Sequence, residues 1–182
     1  MNVFLTILFI IIILAITISI IYIHLYNKFN ESIIRINEAE SRIDTNLRDK
    51  YDLLNKSISM IKANIKLDEK KFNDILIVKT KKISNFELDR TLTKAYNELL
   101  TVYENNKELR DSDELYKANK QIELIDEELV TLRNYYNANI LNYNRMIKKI
   151  PTNIIARIKK YNERLLYDLK DMSDDDYEDF KL

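Results

Sequence analysis

The chain has 182 residues, and its 29 lysines and arginines balance 29 aspartates and glutamates, so no net field draws it toward nucleic acid or an acidic partner. Cysteine and glycine are both absent, which excludes a disulfide framework, a Cys-based metal site and the glycine-dependent phosphate loops of nucleotide-binding proteins. With a single proline and no glycine there are few ways to turn a hairpin, and the composition predicts an all-α chain.

The first element is the charge-free run VFLTILFIIIILAITISIIYI at residues 3–23, long enough for a hydrocarbon core of about 30 Å. Tyr22, His24 and Tyr26 follow where aromatic and polar rings favour the membrane interface. No basic residue precedes the run and no small-residue cleavage site follows it, so it reads as an uncleaved anchor in the lipid bilayer. Lys28, Arg35 and Arg42 lie on its C-terminal side, which predicts a cytoplasmic body.

Beyond the anchor, Ile36, Ala39, Ile43, Leu47, Tyr51, Leu54, Ile58, Ile61 and Ile65 recur at spacings of three and four, the stripe of a long amphipathic helix. Asp68 is a candidate cap after it. A second arm is expected over about 69–107, with SNFE at residues 84–87 as a capping box that restarts it at Ser84. The polar stretch 104–113 reads as a turn, with Asp111 and Glu114 capping the next helix. The third arm carries a near-heptad seam of Ile122, Ile125, Leu129, Leu132, Tyr136, Ile140, Tyr143, Ile147 and Ile150. Pro151 ends it and opens a short fourth helix, whose expected buried face is Ile154, Ile158, Tyr161 and Leu165. Residues 171–182 hold six acids against one lysine and read as a mobile acidic tail.

The expected architecture is therefore an N-terminal transmembrane helix (residues 1–26), then an antiparallel four-helix bundle with three long arms and one short helix (27–170), then the tail. Candidate chemistry is sparse. His24 is the only histidine and has no acidic neighbour, so neither a Glu-x-x-His di-iron site nor a Ser/His/Asp triad is available. Asp126, Glu127 and Glu128 read as a solvated helix face. If the first and third arms point the same way, Lys62, Lys66, Lys70 and Lys71 meet Arg145, Lys148, Lys149 and Arg157 in a basic tip far from the membrane. Of these, Lys70, Lys71, Lys148 and Lys149 are the candidate docking residues for an acidic partner.

Tyr-Asn pairs occur five times, at 26–27, 96–97, 136–137, 143–144 and 161–162, where composition predicts roughly one. Tyr136 and Tyr143 fall in the apolar seam of the third arm, with Asn137 and Asn144 about 100° round the helix at its edge. Arg133 lies on a neighbouring part of that face and is placed to meet a carboxylate on an adjacent arm. These residues read first as packing and hydrogen-bonding partners between helices, and second as ligand contacts.

The block RNYYNANILNYNRMIKKIPTNIIA (133–156) resembles the bacterial LemA family in its spacing of Arg133, Tyr136, Asn137, Ile140, Tyr143, Asn144 and Pro151. INEAESRIDTNLRDKYDLL (36–54) resembles the family's first-helix signature through Ile43, Asp44, Leu47, Arg48, Asp52 and Leu53, and Tyr26 with Asn27 also fits. Two positions depart from the family pattern: LLNKS and NNKEL stand where a proline and a Tyr-Pro pair are usual. The resemblance implies a divergent, membrane-anchored helical bundle without an established enzymatic activity. The functional expectation is a non-enzymatic scaffold for protein partners, with no cofactor. A sensory or ligand-binding bundle that signals through its anchor, and a self-associating coiled-coil tether, are the alternatives.

Overall fold

The computed structural model describes residues 3–65 and 84–169, and over these the chain forms five helices and no strand. They are α1 (Val3–Asn64), α2 (Asn85–Asn105), α3 (Lys107–Arg110), α4 (Asp113–Lys148) and α5 (Thr152–Lys159), followed by a 3-10 turn at Tyr167–Leu169. Asp68, Lys66, Lys70, Lys71 and the acidic stretch 171–182 lie outside the described residues.

The chain divides into two units. The first combines the N-terminal part of α1, through Glu38, with residues 137–165. The second holds Ala39–Tyr136 and the residues after Leu165.

In the second unit, the expected stripe on α1 is the core-facing one. Ala39, Ile43, Leu47, Leu54, Ile58 and Ile61 are buried, as are Leu92, Ala95, Tyr96 and Leu99 of α2 and Leu115, Ile122, Leu129 and Leu132 of α4. Each leucine or isoleucine among them contributes about 1.5–3 kcal/mol on leaving water, so this apolar surface is what closes the unit. Helix α2 begins where SNFE predicts: Ser84 is extended and its hydroxyl accepts from the Glu87 amide at 3.1 Å. At the start of α4 the capping hydroxyl belongs to Ser112, which accepts from the Leu115 amide at 3.4 Å, so Ser112 takes the place assigned to Asp111. Arg133 meets Asp89 and Tyr96 meets Asn119, so α2 and α4 run antiparallel.

In the first unit, Phe29 and Ile36 of α1, Ile140, Tyr143 and Met146 of α4, and Ile155 and Ala156 of α5 are all buried. The Phe29 ring lies 5.9 Å from Tyr143 and 5.2 Å from Tyr161. The first and third long arms are thus antiparallel: the C-terminal end of α4 returns to the place where the apolar run of α1 ends.

Two details of the α4–α5 corner differ from the sequence expectation. Ile150 is 75% exposed and lies outside the seam. On α5 the buried face is Thr152, Ile155 and Ala156, while Ile154, Ile158 and Leu165 point outward at more than half exposure. The Thr152 hydroxyl sets this rotation, lying 2.6 Å from both the Met146 and the Lys149 carbonyl oxygens. Pro151 precedes the helix as its N-cap, and Lys160 ends it in the left-handed region at φ 53°. The Lys160 and Tyr161 amides then donate to the Arg157 and Ala156 carbonyls, the double closure of a Schellman turn. A turn of this kind favours glycine, and this chain makes it with lysine.

Candidate functional site

Lys50 was not legible as special in sequence, yet it is fully buried on the apolar stripe of α1 between Leu47 and Leu54. Its ammonium donates to Asp126 Oδ1 of α4 at 2.5 Å and to Thr93 Oγ1 of α2 at 3.1 Å. A lysine at stripe register is the signal that could have found it. A second pair joins the same two outer helices: Arg133 reaches Asp89 at 3.0 Å, as the position of Arg133 suggested, and its Nε donates to the Leu129 carbonyl. Asp89 is almost wholly buried. Burial pushes its pKa up, and Arg133 and then Lys50 pull the other way. Tyr96 donates to the Asn119 carbonyl at 3.4 Å; burial, and then Glu123 and Asp126, push its phenol up to about 12.

Asp126 therefore turns inward instead of forming the solvated face expected of residues 126–128. Glu128 also reaches across, to Arg42 at 2.7 Å. These pairs tie three helices together through charges whose partners are already assigned. Among the described residues, no cluster of His, Cys, Asp or Glu could hold a metal ion.

The Tyr-Asn block divides between the two units. Tyr136 is buried, with its ring 6.1 Å from Tyr167, and Asn137 is half-buried and has a polar partner. In the other unit, Tyr143 is buried against Phe29, with the Arg164 guanidinium 5.3 Å from its ring centroid. Burial raises its phenol pKa, and Arg164 opposes that shift. Asn144 makes a two-point clamp on the chain after α5: its amide donates to the Arg164 carbonyl at 2.8 Å, and its Oδ1 accepts from the Arg164 amide at 2.9 Å. The clamp satisfies a backbone segment that has left its helix.

The first-helix residues are not drawn into this block. Asp44 and Arg48 pair with each other at 2.9 Å along the outside of α1. Asp52 is exposed beside a shallow groove of about 550 Å³, lined also by Asp49, Leu53, Lys56, Gln121, Leu124 and Ile125. Tyr26 is half-buried, stacks on Tyr22 at 6.3 Å and takes the Lys159 ammonium over its ring at 4.9 Å; Asn27 is exposed.

The expected distal basic tip requires parallel first and third arms, and the pairs Arg42 with Glu128 and Lys50 with Asp126 run in opposite order along the two helices, which makes them antiparallel. Lys148 pairs with Glu163 at 2.9 Å and Lys149 is exposed, both in the unit that contains residues 3–23.

A family model, that of the LemA family, matches residues 39–178. The chain belongs to the LemA family. The matched range of this LemA protein includes Asp44, Arg48, Asp52 and the whole of the block from Arg133 to Pro151, and it leaves Tyr26, Asn27 and the apolar run outside. No curated protein and no solved structure matches the chain. Its N-terminal helix is long and apolar enough to cross a membrane, and none of the most apolar stretch is buried. Thr17 and Ser19 within it turn their hydroxyls back to the carbonyls of Ile13 and Ala15, at 2.9 and 2.8 Å. That pairs both hydroxyl donors within the helix.

Proposed function

We propose that this LemA protein is a non-enzymatic, single-pass membrane protein whose helical body is a scaffold for protein partners. The observation that carries the reading is the division of labour along α1. Its apolar residues 3–23 are exposed, while the same unbroken helix supplies Phe29, Ile36, Ile43, Leu47 and Leu54 to buried cores. A helix that is apolar all round and uncovered matches lipid, and one with a single buried stripe matches a bundle. The body therefore hangs directly on its anchor with no linker in between. The basic residues after the span, Lys28, Arg35 and Arg42, favour a cytoplasmic body.

Burial raises the Asp89 pKa against the pull of Arg133 and Lys50, a balance that fits an interhelical ion pair. The scaffold role is tested by crosslinking a tagged full-length copy in cells and identifying what is captured. Recovery of the same few proteins from replicate cultures, lost when the body is removed from the anchor, is the expected result. Capture of nothing but other copies of the chain removes the scaffold role.

A further inference from the structure

The outward face of the α4–α5 corner is built for a membrane surface. Ile150, Ile154 and Ile158 recur every four residues and are 75%, 54% and 59% exposed. Around them Arg145, Lys149, Arg157, Lys159 and Lys160 are all exposed. Residues 145–164 carry seven basic side chains and a single acid, Glu163, in a chain whose net charge is zero. That acid is already paired with Lys148.

The position of this corner is fixed by contacts within its own unit. Lys159 lies over the ring of Tyr26, and Tyr161 packs on Phe29. Tyr26 and Phe29 stand three and six residues beyond Ile23, where the apolar run ends. At 1.5 Å per residue, that is about 4.5 and 9 Å along the helix axis. The headgroup layer on each side of a hydrocarbon core is about 5–8 Å deep. The corner thus meets α1 at or just beyond headgroup depth, with three exposed isoleucines and the exposed Arg145, Lys149, Arg157 and Lys160 beside them in sequence. Apolar residues on one side and lysine and arginine around them are what an interfacial helix needs to sink its face among acyl chains beneath anionic headgroups.

We infer that α5 and the turn before it dock on the bilayer surface, with Ile150, Ile154 and Ile158 entering the acyl boundary and the surrounding lysines and arginines binding anionic phospholipid headgroups. The contact is a second hold on the membrane, beside the span, and it rests on the reading of residues 3–23 as that span. It also accounts for the reversal on α5: the pair Ile154 and Ile158, expected in the protein core, is reserved for lipid.

The chain has no tryptophan, so a single introduced one reports on one site. Full-length Ile154→Trp, Ile12→Trp and Ile34→Trp are each reconstituted into vesicles in which part of the phosphatidylcholine carries brominated acyl chains. One set contains phosphatidylcholine alone and the other an equimolar mixture with phosphatidylglycerol. Ile12→Trp reports the span. Ile34→Trp is exposed and eleven residues past Ile23, about 16 Å along the axis, so it reports water. In the anionic vesicles, bromines quench Ile12→Trp and Ile154→Trp and leave Ile34→Trp bright. Replacing Lys149, Arg157 and Lys160 together by Gln in the Ile154→Trp background, or adding salt, reduces quenching at residue 154 without altering it at residue 12.

If Ile12→Trp is quenched and Ile154→Trp is as bright as Ile34→Trp, surface docking is wrong and the anchor stands. If neither is quenched, the anchor falls as well. Equal quenching at residue 154 in neutral and anionic vesicles removes the role given to the basic residues. A blue-shifted emission at residue 154 that bromines leave untouched shows a protein surface, such as a second copy, on that face and overturns lipid docking.

Discussion

The buried ion pair between Lys50 and Asp126 predicts an unequal response to losing either partner. Lys50 has no exposed surface, whereas a third of the Asp126 side chain is in contact with solvent. Asp126→Ala leaves the Lys50 ammonium in the core with the Thr93 hydroxyl and the field of Asp89, itself paired with Arg133, and a buried charge that loses its direct partner costs about 3–5 kcal/mol. Lys50→Met keeps most of the buried hydrocarbon and leaves Asp126 free to hydrate through its exposed side. That variant should stay within about 1 kcal/mol of wild type, because replacing a buried ion by an apolar side chain of similar length is often near neutral. The double variant should then be more stable than Asp126→Ala alone, since it no longer holds an unpaired ammonium in the core. Urea unfolding of the full-length chain in nanodiscs, followed by helical circular dichroism, ranks the three. The reasoning is refuted if Lys50→Met loses as much stability as Asp126→Ala, or if the double variant is no better than Asp126→Ala.

Three further outcomes follow from local geometry. Tyr96 has its folded pKa raised from 10.0 to about 12, so its contribution is complete below pH 10 and is lost as pH rises through about 12. A shift of that size corresponds to roughly 2–3 kcal/mol, and Tyr96→Phe should flatten this alkaline loss in urea titrations, whereas parallel curves for the two proteins would contradict it. Asn144→Ala removes both hydrogen bonds to the Arg164 backbone, a cost of about 2 kcal/mol confined to the chain after α5. Trypsin should then cut faster at Lys160 and Arg164, with amide exchange rising over 160–166 and unchanged in α2; a uniform rise would show that Asn144 stabilises the whole body instead. Lys160→Gly relieves a left-handed lysine and should stabilise by about 0.5–1 kcal/mol in the same unfolding assay, and a loss of stability would mean that the Lys160 side chain holds something more valuable than the turn costs.

Most of the helical architecture was legible because the apolar side chains repeat at helical spacing over long distances. Nearly every position of the stripe from Ile36 to Ile61 is buried, and the Ser84 cap lies where a serine three residues before a glutamate puts it. Periodicity fails where it has to say what covers a face. In TNIIARIK two candidate faces overlap, Ile154 with Ile158 and Thr152 with Ile155 and Ala156, and spacing ranks the all-isoleucine pair first. The hydroxyl of Thr152 decides the rotation through two carbonyls, and no apolar pattern records that. Lys50 fails for the opposite reason: hydropathy demotes a lysine, although a lysine whose stem is apolar and whose tip meets Asp126 satisfies a core position. Neighbouring helix directions were illegible too. They depend on contacts such as Phe29 with Tyr143, 114 positions apart in sequence.

That antiparallel return of α4 changes how the charges near the membrane are to be understood. Lys28, Arg35 and Arg42 are matched by Glu31, Glu38 and Glu40, so the segment directly after the span is electrically neutral. Orientation follows the count of lysine and arginine more than net charge, so in the proposed reading these three still favour a cytoplasmic body. They cannot by themselves draw it to an anionic leaflet. In the inferred docking, residues 145–164 can, because folding brings a segment with seven cations, more than 115 positions away in sequence, against Tyr26 and Phe29 through Lys159 and Tyr161. They are synthesised long after the span has left the ribosome, so they act only once the bundle has closed. On the proposed membrane reading, the basic residues near the span bear on the side of the membrane, and the inferred docking of the corner supplies the attraction to its surface. The two effects separate experimentally: neutralising Lys149, Arg157 and Lys160 should leave the side on which the body lies unchanged while loosening α5 from anionic lipid.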